Sequence, residues 1–240
     1  MIRLRHHARA ARLVAVATAA AAMIFVAAPL GGTAAQDTTG TVLGTPTATT
    51  CVTDIGTVEA PEGADVYTIS GDGSVARYRA QEELASIGAN EAVGETNAIV
   101  GQILLDADGT PLPCSRFDVD LRTLTSDESR RDNFLYDNTL ETGQYPLATF
   151  VLTGVEGLDG SLAEGEATDV TLVGNLTIHG VEKSVTWDAT VTRDGDALTG
   201  TASMRFNMAD FDIQEPVVGP VMSVDESIQL EVEIAAQRAA

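Results

Sequence analysis

The sequence predicts an all-β protein whose antiparallel strands close into a barrel or pack as a sandwich, with one short helix. Three observations support this class: short alternating segments recur after Asp65, Gly and Asp turns separate them, and one segment alone carries a helix-start pattern. The clearest alternation places three apolar residues on one face and three charged residues on the other: Phe117, Val119 and Leu121 against Asp118, Asp120 and Arg122.

Residues 1–35 are predicted to be a secretory signal peptide. A basic start, MIRLRHHARAAR, precedes the apolar run Leu13–Ala28, and Thr33 and Ala35 suit a cut after Ala35. The run is shorter than the roughly 20 residues that span a bilayer, which favours cleavage over the alternative, a retained membrane anchor. We therefore expect an exported protein (periplasmic, cell-envelope or extracellular) with no stable membrane span once the signal is removed.

The remaining chain is strongly acidic. The full sequence has 14 Lys and Arg and 35 Asp and Glu, and residues 1–35 contain four of the basic residues and none of the acidic ones. Such a surface repels phosphate backbones, so nucleic acid is excluded as a partner.

Residues 36–62 are predicted to be a Thr-, Gly- and Pro-rich arm or linker, ahead of a barrel domain at 63–240. The two cysteines, Cys51 and Cys114, allow a single pairing, and an exported chain favours disulfides. A bridge would join the arm to the domain; two unrelated thiols are the alternative.

The strand pattern continues along most of the domain, with about eight or nine strands in total. Segments with strand character are VYTIS, SVARYRAQEE, TNAIVGQILL before an Asp108-Gly109 turn, RFDVDLRTL, and residues 147–152, 170–178, 184–192, 198–207 and 224–235. In the last segment, apolar side chains alternate with Gln and Glu: Ile228, Leu230, Val232 and Ile234. One face of each strand is therefore predicted to face a core or a cavity.

Residues 125–138 are predicted to form the one helix after the signal. Thr125 stands three residues before Glu128, which is the capping-box spacing, and Asp127 and Glu128 suit the positive end of a helix dipole.

No catalytic or metal site is predicted. His179 is the only histidine after the signal segment, it has no His or Cys partner at ligand spacing, and its phase and the following Gly180 predict a solvated position beside a turn. The motifs of hydrolase nucleophiles, zinc proteases and phosphate loops are missing from the sequence. We therefore expect a protein without enzymatic activity, without a cofactor and without a bound metal.

Two motifs resemble one family. RRDNFLYDNTLETGQYPLATF (130–150) resembles the Arg-Asp…Leu…Tyr-Pro-x-x-x-Phe motif of the YceI-like, polyisoprenoid-binding proteins, and LVGNLTIHGVEKSVTWDATV resembles their Gly-x-Leu-Thr-Ile-x-Gly-Val hairpin. The resemblance covers 65–236 and implies an extended, lipocalin-like, eight-stranded antiparallel barrel that is exported and holds a long isoprenoid. The family often has a His-Ser pair near the first strands, where this chain has Gly73-Ser74.

A ligand of this kind needs a narrow apolar interior, because each buried methylene contributes about 0.8 kcal/mol. Seven residues are the expected lining: Phe117, Phe134, Tyr136, Phe150, Leu172, Leu176 and Trp187. Arg130 and Arg131 are candidate contacts for a head group, the alternative being ion pairs with neighbouring acids. The acidic surface favours a neutral head, such as a quinone, over a polyprenyl phosphate.

Two other hypotheses remain at this stage. One is an enzyme that acts on a bound lipid through scattered acids. The other is a barrel filled by its own side chains that serves in adhesion or stress response. The carrier, the enzyme and the filled barrel would all have the same fold. A vacant interior would distinguish the carrier from the filled barrel.

Overall fold

A computed structural model describes residues 40–44, 51, 53–86, 88–216 and 221–239. The predicted signal peptide and part of the predicted arm lie outside these residues. The described residues belong to one compact unit, Asp37–Ala240. Among them, no helix has the length and hydropathy needed to cross a membrane.

Strands dominate the described part of the chain. They are β1 Val42–Gly44, β2 Thr53–Asp54, β3 Thr57–Val58, β4 Asp65–Ile69, β5 Val75–Leu84, β6 Gly88–Thr96, β7 Ile99–Leu105, β8 Arg116–Asp120, β9 Thr125–Ser126, β10 Leu147–Glu156, β11 Ala167–Ile178, β12 Val181–Asp194, β13 Ala197–Asn207 and β14 Val221–Arg238. Helix α1 spans Ser129–Phe134 and continues into a π-helical turn, Leu135–Thr139. Short 3₁₀ helices cover Leu121–Thr123 and Met208–Phe211.

Eight antiparallel strands close the barrel in the order β4, β7, β8, β10, β11, β12, β13, β14 and back to β4. Strand β14 pairs with β13 along one edge and with both β4 and β5 along the other. Strands β5, β6 and β9 extend the sheet beyond the ring. The predicted all-β class, an eight-stranded antiparallel barrel with one short helix, is confirmed.

The helix begins later than predicted. Thr125 and Ser126 form β9, which pairs with β6, so Thr125 cannot cap a helix. Instead the Glu128 side chain caps α1 by accepting a hydrogen bond from the Arg130 amide. The π-helical turn follows, where the Leu140 amide donates to the Leu135 carbonyl at 2.8 Å. Pairing of Thr125 and Ser126 with β6 therefore overrides the capping-box spacing.

The described parts of 36–62 pack on the barrel. Strand β1 pairs with β12, with Val42 opposite Val185. Just before β1, the Thr41 carbonyl accepts a hydrogen bond from the Thr186 amide, and the Gly40 carbonyl accepts one from the Arg205 amide of β13, both at 2.7 Å. The pairing of β12 with β13 ends at Asp188 and Ser203. Beyond this point segment 40–44 lies between the two strands and bonds to both.

The β2–β3 hairpin covers the outer face of β7 and β8. The Cys51–Cys114 disulfide links the segment that carries this hairpin to the loop before β8, and the Cα atoms of the two cysteines are 5.5 Å apart. The Gly56 amide donates to Asp118 Oδ2 at 2.8 Å, and the Val58 amide donates to the Gln102 side chain at 2.8 Å. The hairpin thus buries Asp118, which the alternation alone predicts to be an outward, solvated residue.

Candidate ligand-binding cavity

The barrel encloses two apolar chambers, which follow from the inward phase of its strands. The helix-side chamber has a cavity volume of about 140 Å³ and is bordered by Val119, Leu124, Leu135, Ile178, Phe206 and Ile228 among others. The far chamber has a volume of about 100 Å³ and is bordered by Ile69, Leu105, Leu152, Val170, Leu198 and Ile234 among others. Both volumes exceed the roughly 10–15 Å³ that one water needs.

An aromatic waist separates the chambers. Phe117, Trp187 and Val232 border both of them, and Phe150 packs against the two shared rings. The Phe117 and Phe150 ring centroids are 5.3 Å apart, and those of Phe150 and Trp187 are 5.9 Å apart with an edge-to-face angle of 74°. Phe117 and Trp187 are also edge to face, at 6.2 Å. We call Phe117, Phe150 and Trp187 the waist.

Strand pairing explains how three distant residues meet. Phe117 and Phe150 are direct cross-strand partners in β8 and β10, and Trp187 lies opposite Leu172 across β11 and β12. Strand β11 contributes Gly174, where a Cβ atom would lie 2.4 Å from a Phe150 ring atom. Glycine at this inward position leaves the space that the Phe150 ring occupies.

Few polar groups border the chambers. Burial raises the pKa of the Tyr78 phenol, beside the helix-side chamber, to about 12. The Thr139 hydroxyl and the Trp187 indole N–H are buried and have no hydrogen-bond partner among the described residues. Apart from the charged residues at its border, the lining therefore offers a small number of neutral donors and a mainly hydrocarbon surface.

The two arginines that border the chambers have acidic partners. Arg77 pairs with Glu95 at 2.7 Å and with Glu233, and Arg116 pairs with Asp118 at 2.7 Å. Each guanidinium group is thus paired with a carboxylate of the protein itself. They leave little cationic character for an anionic ligand inside the described barrel.

Five of the seven expected lining residues border the chambers: Phe117, Phe150, Leu172, Leu176 and Trp187. Phe134 and Tyr136 border neither, and the Tyr136 hydroxyl donates instead to the Leu124 carbonyl. Their neighbours Leu135 and Thr139 take the inward positions. Sequence periodicity does not anticipate the π-helical turn that sets this phase.

The two candidate head-group arginines differ in their surroundings. Arg131 is mostly buried and pairs with Glu82 at 2.9 Å and Asp127 at 2.7 Å. Arg130 is exposed on the outer side of α1. Neither borders a chamber. For Arg131, the structure shows the ion pairs that the sequence offered as the alternative.

His179 is not the solvated residue that the strand phase predicts. Its side chain is only 13% exposed, its Nε2 lies 2.9 Å from Glu141 Oε2, and its Nδ1 lies 3.3 Å from the Phe211 carbonyl oxygen. The ring also packs edge to face on Tyr145. A left-handed backbone, φ 52°, turns the side chain away from the strand phase and against the loops.

Several lining residues were not singled out from the sequence. Tyr78, Leu140, Phe206, Met208 and Ile213 border the helix-side chamber. The alternation of β14 did indicate that its apolar residues face inward, and Ile228, Leu230, Val232 and Ile234 all border a chamber. Leu140, Met208 and Ile213 come from loops and short helices, which carry no period, so the sequence pattern could not select them. Tyr78 and Phe206 lie on β5 and β13, and the alternation of these strands is the signal that could have identified them.

The described residues contain no cluster of metal-ligating side chains. Among the described residues, no group of three or more His, Cys, Asp or Glu side chains is placed to hold a metal ion.

A closed antiparallel barrel around an apolar cavity defines the class of lipocalin-like barrels. The model of the YceI-like domain matches residues 67–236. The chain belongs to the YceI-like family, and the resemblance of its two motifs to that family is confirmed.

Relatives of known sequence and structure agree with this assignment. A UPF0312 protein of Pseudomonas putida strain W619 is 35% identical over 126 residues, which cover 48% of this chain and 62% of that protein. The chain thus spans about three fifths of the length of this relative. A UPF0312 protein of Vibrio vulnificus strain YJ016 is 29% identical, over 62% of this chain and 78% of its own length.

Two solved structures share the fold. One is a polyisoprenoid binding domain from Saccharophagus degradans implicated in plant cell wall breakdown, with a TM-score of 0.56, 14% identity, and coverage of 72% of this chain and 98% of that one. The other is BcnA of Burkholderia cenocepacia, with a TM-score of 0.56, 16% identity, and coverage of 70% and 99%. At these identities the likeness concerns the fold.

Proposed function

We propose that the protein is an exported binding protein that holds an isoprenoid or a similar long apolar lipid inside its barrel, for transport, storage or sequestration. It acts by enclosure and carries out no chemistry on the ligand. The proposal concerns the domain at 63–240, with residues 1–35 removed on export.

The observation that carries this proposal is the vacant apolar interior. Two chambers of about 140 and 100 Å³ share three wall residues and lie end to end within one ring of strands. Natural cores pack with few voids larger than a water molecule. Space of this size, bordered mainly by hydrocarbon, suits a slender chain whose burial contributes about 0.8 kcal/mol per methylene.

The electrostatics favour a neutral head group. Arg77 and Arg116 border the chambers with acidic partners, and the chain carries a net charge of −21. A diphosphate would meet repulsion from the acidic surface. The name of the Saccharophagus degradans structure, a polyisoprenoid binding domain, adds support for the ligand class through the shared fold.

Organic extraction of the purified protein followed by lipid mass spectrometry tests the proposal. We expect one or more neutral-headed isoprenoid lipids at a near-stoichiometric ratio. Extraction of a folded protein that has been exposed to lipid and still contains none would contradict it. Tighter retention of a polyprenyl diphosphate than of a quinone with the same tail, at physiological salt, would contradict the neutral head.

A cavity-filling variant makes the same test specific to the barrel interior. Ala148 borders the helix-side chamber, so Ala148→Phe should reduce lipid retention at least tenfold by occupying that space. Ala167→Phe is the matched control, because Ala167 is exposed at the start of β11. Equal retention by both variants would place the lipid outside the cavity.

A further inference from the structure

We propose that the waist makes the protein selective for the length of the lipid tail. This inference rests on the proposed function and refines its substrate class. Tails that fit within the helix-side chamber bind with Phe117, Phe150 and Trp187 in place. Longer tails must part these rings before they reach the far chamber.

The first argument is that the waist divides an otherwise continuous space. Each ring lies within 6.2 Å of both others, measured between centroids, and two of the three rings border both chambers. Edge-to-face aromatic pairs are more stable than their area burial alone implies. A tail that passes between the rings loses these contacts, so the next unit of tail adds less affinity than the one before it.

The second argument is that the backbone holds the waist in place. The Phe150 ring lies over Gly174, where a Cβ atom would be 2.4 Å from its nearest ring atom. The main chain of β12 at Trp187 is backed by Gly40, where a Cβ atom would lie 2.1 Å from the Thr186 carbonyl oxygen and 2.6 Å from the Trp187 Cα. Phe150 and Trp187 are each at most 3% exposed. Rings packed this closely behave as a gate with distinct arrangements rather than as a soft wall.

The third argument concerns direction. The register between β5 and β14 shifts between Val224 and Ile228, and both residues border the helix-side chamber. The rest of this chamber's border includes the π-helical turn, the Met208–Phe211 helix and Ile213–Pro216, none of which belongs to the strand ladder. A tail therefore enters the helix-side chamber first and meets the waist from that side.

The far chamber ends in packed chain. Leu162 is 3% exposed, and its amide donates to the Gly109 carbonyl at 3.1 Å. The Arg193 side chain packs on Gly109, where a Cβ atom would lie 2.3 Å from a guanidinium nitrogen. The β10–β11 register also shifts at this end, between Leu152 and Gly154, but Leu162 and the contact of Arg193 with Gly109 cover it. The waist is therefore the step that limits tail length.

The test is a competition among tail lengths. The purified mature protein is incubated with an equimolar mixture of linear isoprenoid quinones, from geranyl to decaprenyl, in vesicles, and the retained species are quantified by mass spectrometry. The tails leave a bilayer that is already apolar, so we expect retention to change little among tails that fit the helix-side chamber and to fall at the length that reaches the waist. Retention without a break over the whole series would overturn the inference.

Phe150→Leu provides the specific variant and Phe211→Leu its matched control. Both remove a buried ring that packs on another aromatic side chain, but Phe211, which pairs with Phe206 at 5.1 Å, borders neither chamber. Phe150→Leu should move the break to longer tails, and Phe211→Leu should leave it where it is in the unmodified protein. A break that Phe150→Leu does not move, in a variant with a cooperative unfolding transition, would overturn the inference.

Trp187 supplies a readout that needs no variant. It is the only tryptophan in the sequence. Because Trp187 borders both chambers, its emission should change when a tail first fills the helix-side chamber and change again with tails beyond the break, which part it from Phe117 and Phe150. A single change, already complete with the shortest retained tail, would overturn the inference. If the unmodified protein retains no isoprenoid of any length, the proposed function itself fails. Retention without a waist-dependent break leaves the proposed function intact and removes the length selection alone.

Discussion

Asp118 lies on the outer face of β8, yet its side chain is fully buried. Its carboxylate accepts hydrogen bonds from the Arg116 guanidinium, the Thr149 hydroxyl at 2.6 Å and the Gly56 amide at 2.8 Å. A buried carboxylate is stable only when paired and hydrogen-bonded in this way. Asp118 is therefore the residue through which the β2–β3 hairpin, β8 and β10 are joined.

Replacement of Asp118 should destabilise the protein more than an equivalent change nearby. Asp118→Asn removes the carboxylate charge that pairs with the mostly buried Arg116, and we expect a loss of about 3–5 kcal/mol in the free energy of unfolding. Asp120→Asn is the control: its ion pair with Arg122 is largely exposed and asparagine also caps helices, so the loss should stay below about 1 kcal/mol. Urea unfolding measures both; equal losses would show that Asp118 contributes no special stability.

Tyr78 gives the protein an alkaline limit. Burial raises the pKa of its phenol from the usual 10.0 to about 12, so an unfolded chain releases this proton at a lower pH than the folded one. The contribution of this group is fully present below pH 10 and is lost as pH rises towards 12, by up to about 2 kcal/mol. Phenolate absorbance during a pH titration should show a late step that Tyr78→Phe removes and Tyr145→Phe retains. If Tyr145→Phe removed the late step and Tyr78→Phe retained it, the step would belong to Tyr145, which would contradict this prediction.

At the scale of the strand, β11 illustrates how one glycine supports the aromatic waist. The strand alternates inward and outward along Ala167–Ile178, and its inward series is Val170, Leu172, Gly174, Leu176 and Ile178. The missing side chain at Gly174 is where the ring of Phe150 lies. The glycine is thus a packing position within a regular strand.

A methyl group at that position should be poorly tolerated. Gly174→Ala would overpack the ring of Phe150, and we expect a loss of about 1–3 kcal/mol in the free energy of unfolding. In a Phe150→Leu background the same change should cost less, because the smaller side chain leaves room. Gly154→Ala on neighbouring β10 is the control, since a Cβ atom there meets no atom within 4 Å. Additive losses in the double variant, measured by thermal unfolding, would contradict this account.

The elements also show what the sequence could and could not predict. Strong alternation predicted β8 and β14 because each has one face against the interior. Strand β6 was not singled out, since its inward residues include only the small Ala92, Gly94 and Thr96. A Cβ at Gly94 would lie 2.2 Å from the Tyr78 ring, so large residues are excluded there by a side chain 16 positions away. Such contacts depend on the closed barrel and leave no local pattern.

For the whole molecule, the disulfide joins the segment at Cys51 to the loop before β8. Its two cysteines are separated by 63 residues in the sequence. In the chain-entropy model a loop of this length stabilises the folded state by about 4 kcal/mol. The covalent link also keeps the β2–β3 hairpin beside Asp118, so its loss should affect that site more than the barrel interior.

Reduction of the disulfide should therefore lower stability while the barrel persists. We expect the urea midpoint to fall by an amount equivalent to about 2–4 kcal/mol, and hydrogen exchange of the Gly56 amide to accelerate. The reduced unmodified chain is a cleaner comparison than a Cys114→Ser variant, because it removes the bridge without changing a side chain. Unchanged exchange at Gly56 after reduction would show that the hairpin holds without the bridge.

Closure of the ring by β14 has a consequence for how the protein assembles. This strand supplies the partners of β13, β4 and β5, and its Arg238 pairs with Asp65, which stands 173 residues earlier in the chain. Contacts between such distant positions raise the contact order, and high contact order slows folding to milliseconds or seconds. Until Val221–Arg238 arrives, β4 and β13 are unprotected sheet edges that attract other chains. Aggregation during refolding should therefore compete at high protein concentration. For the export proposed above, this favours a chain that stays unfolded until translocation is complete.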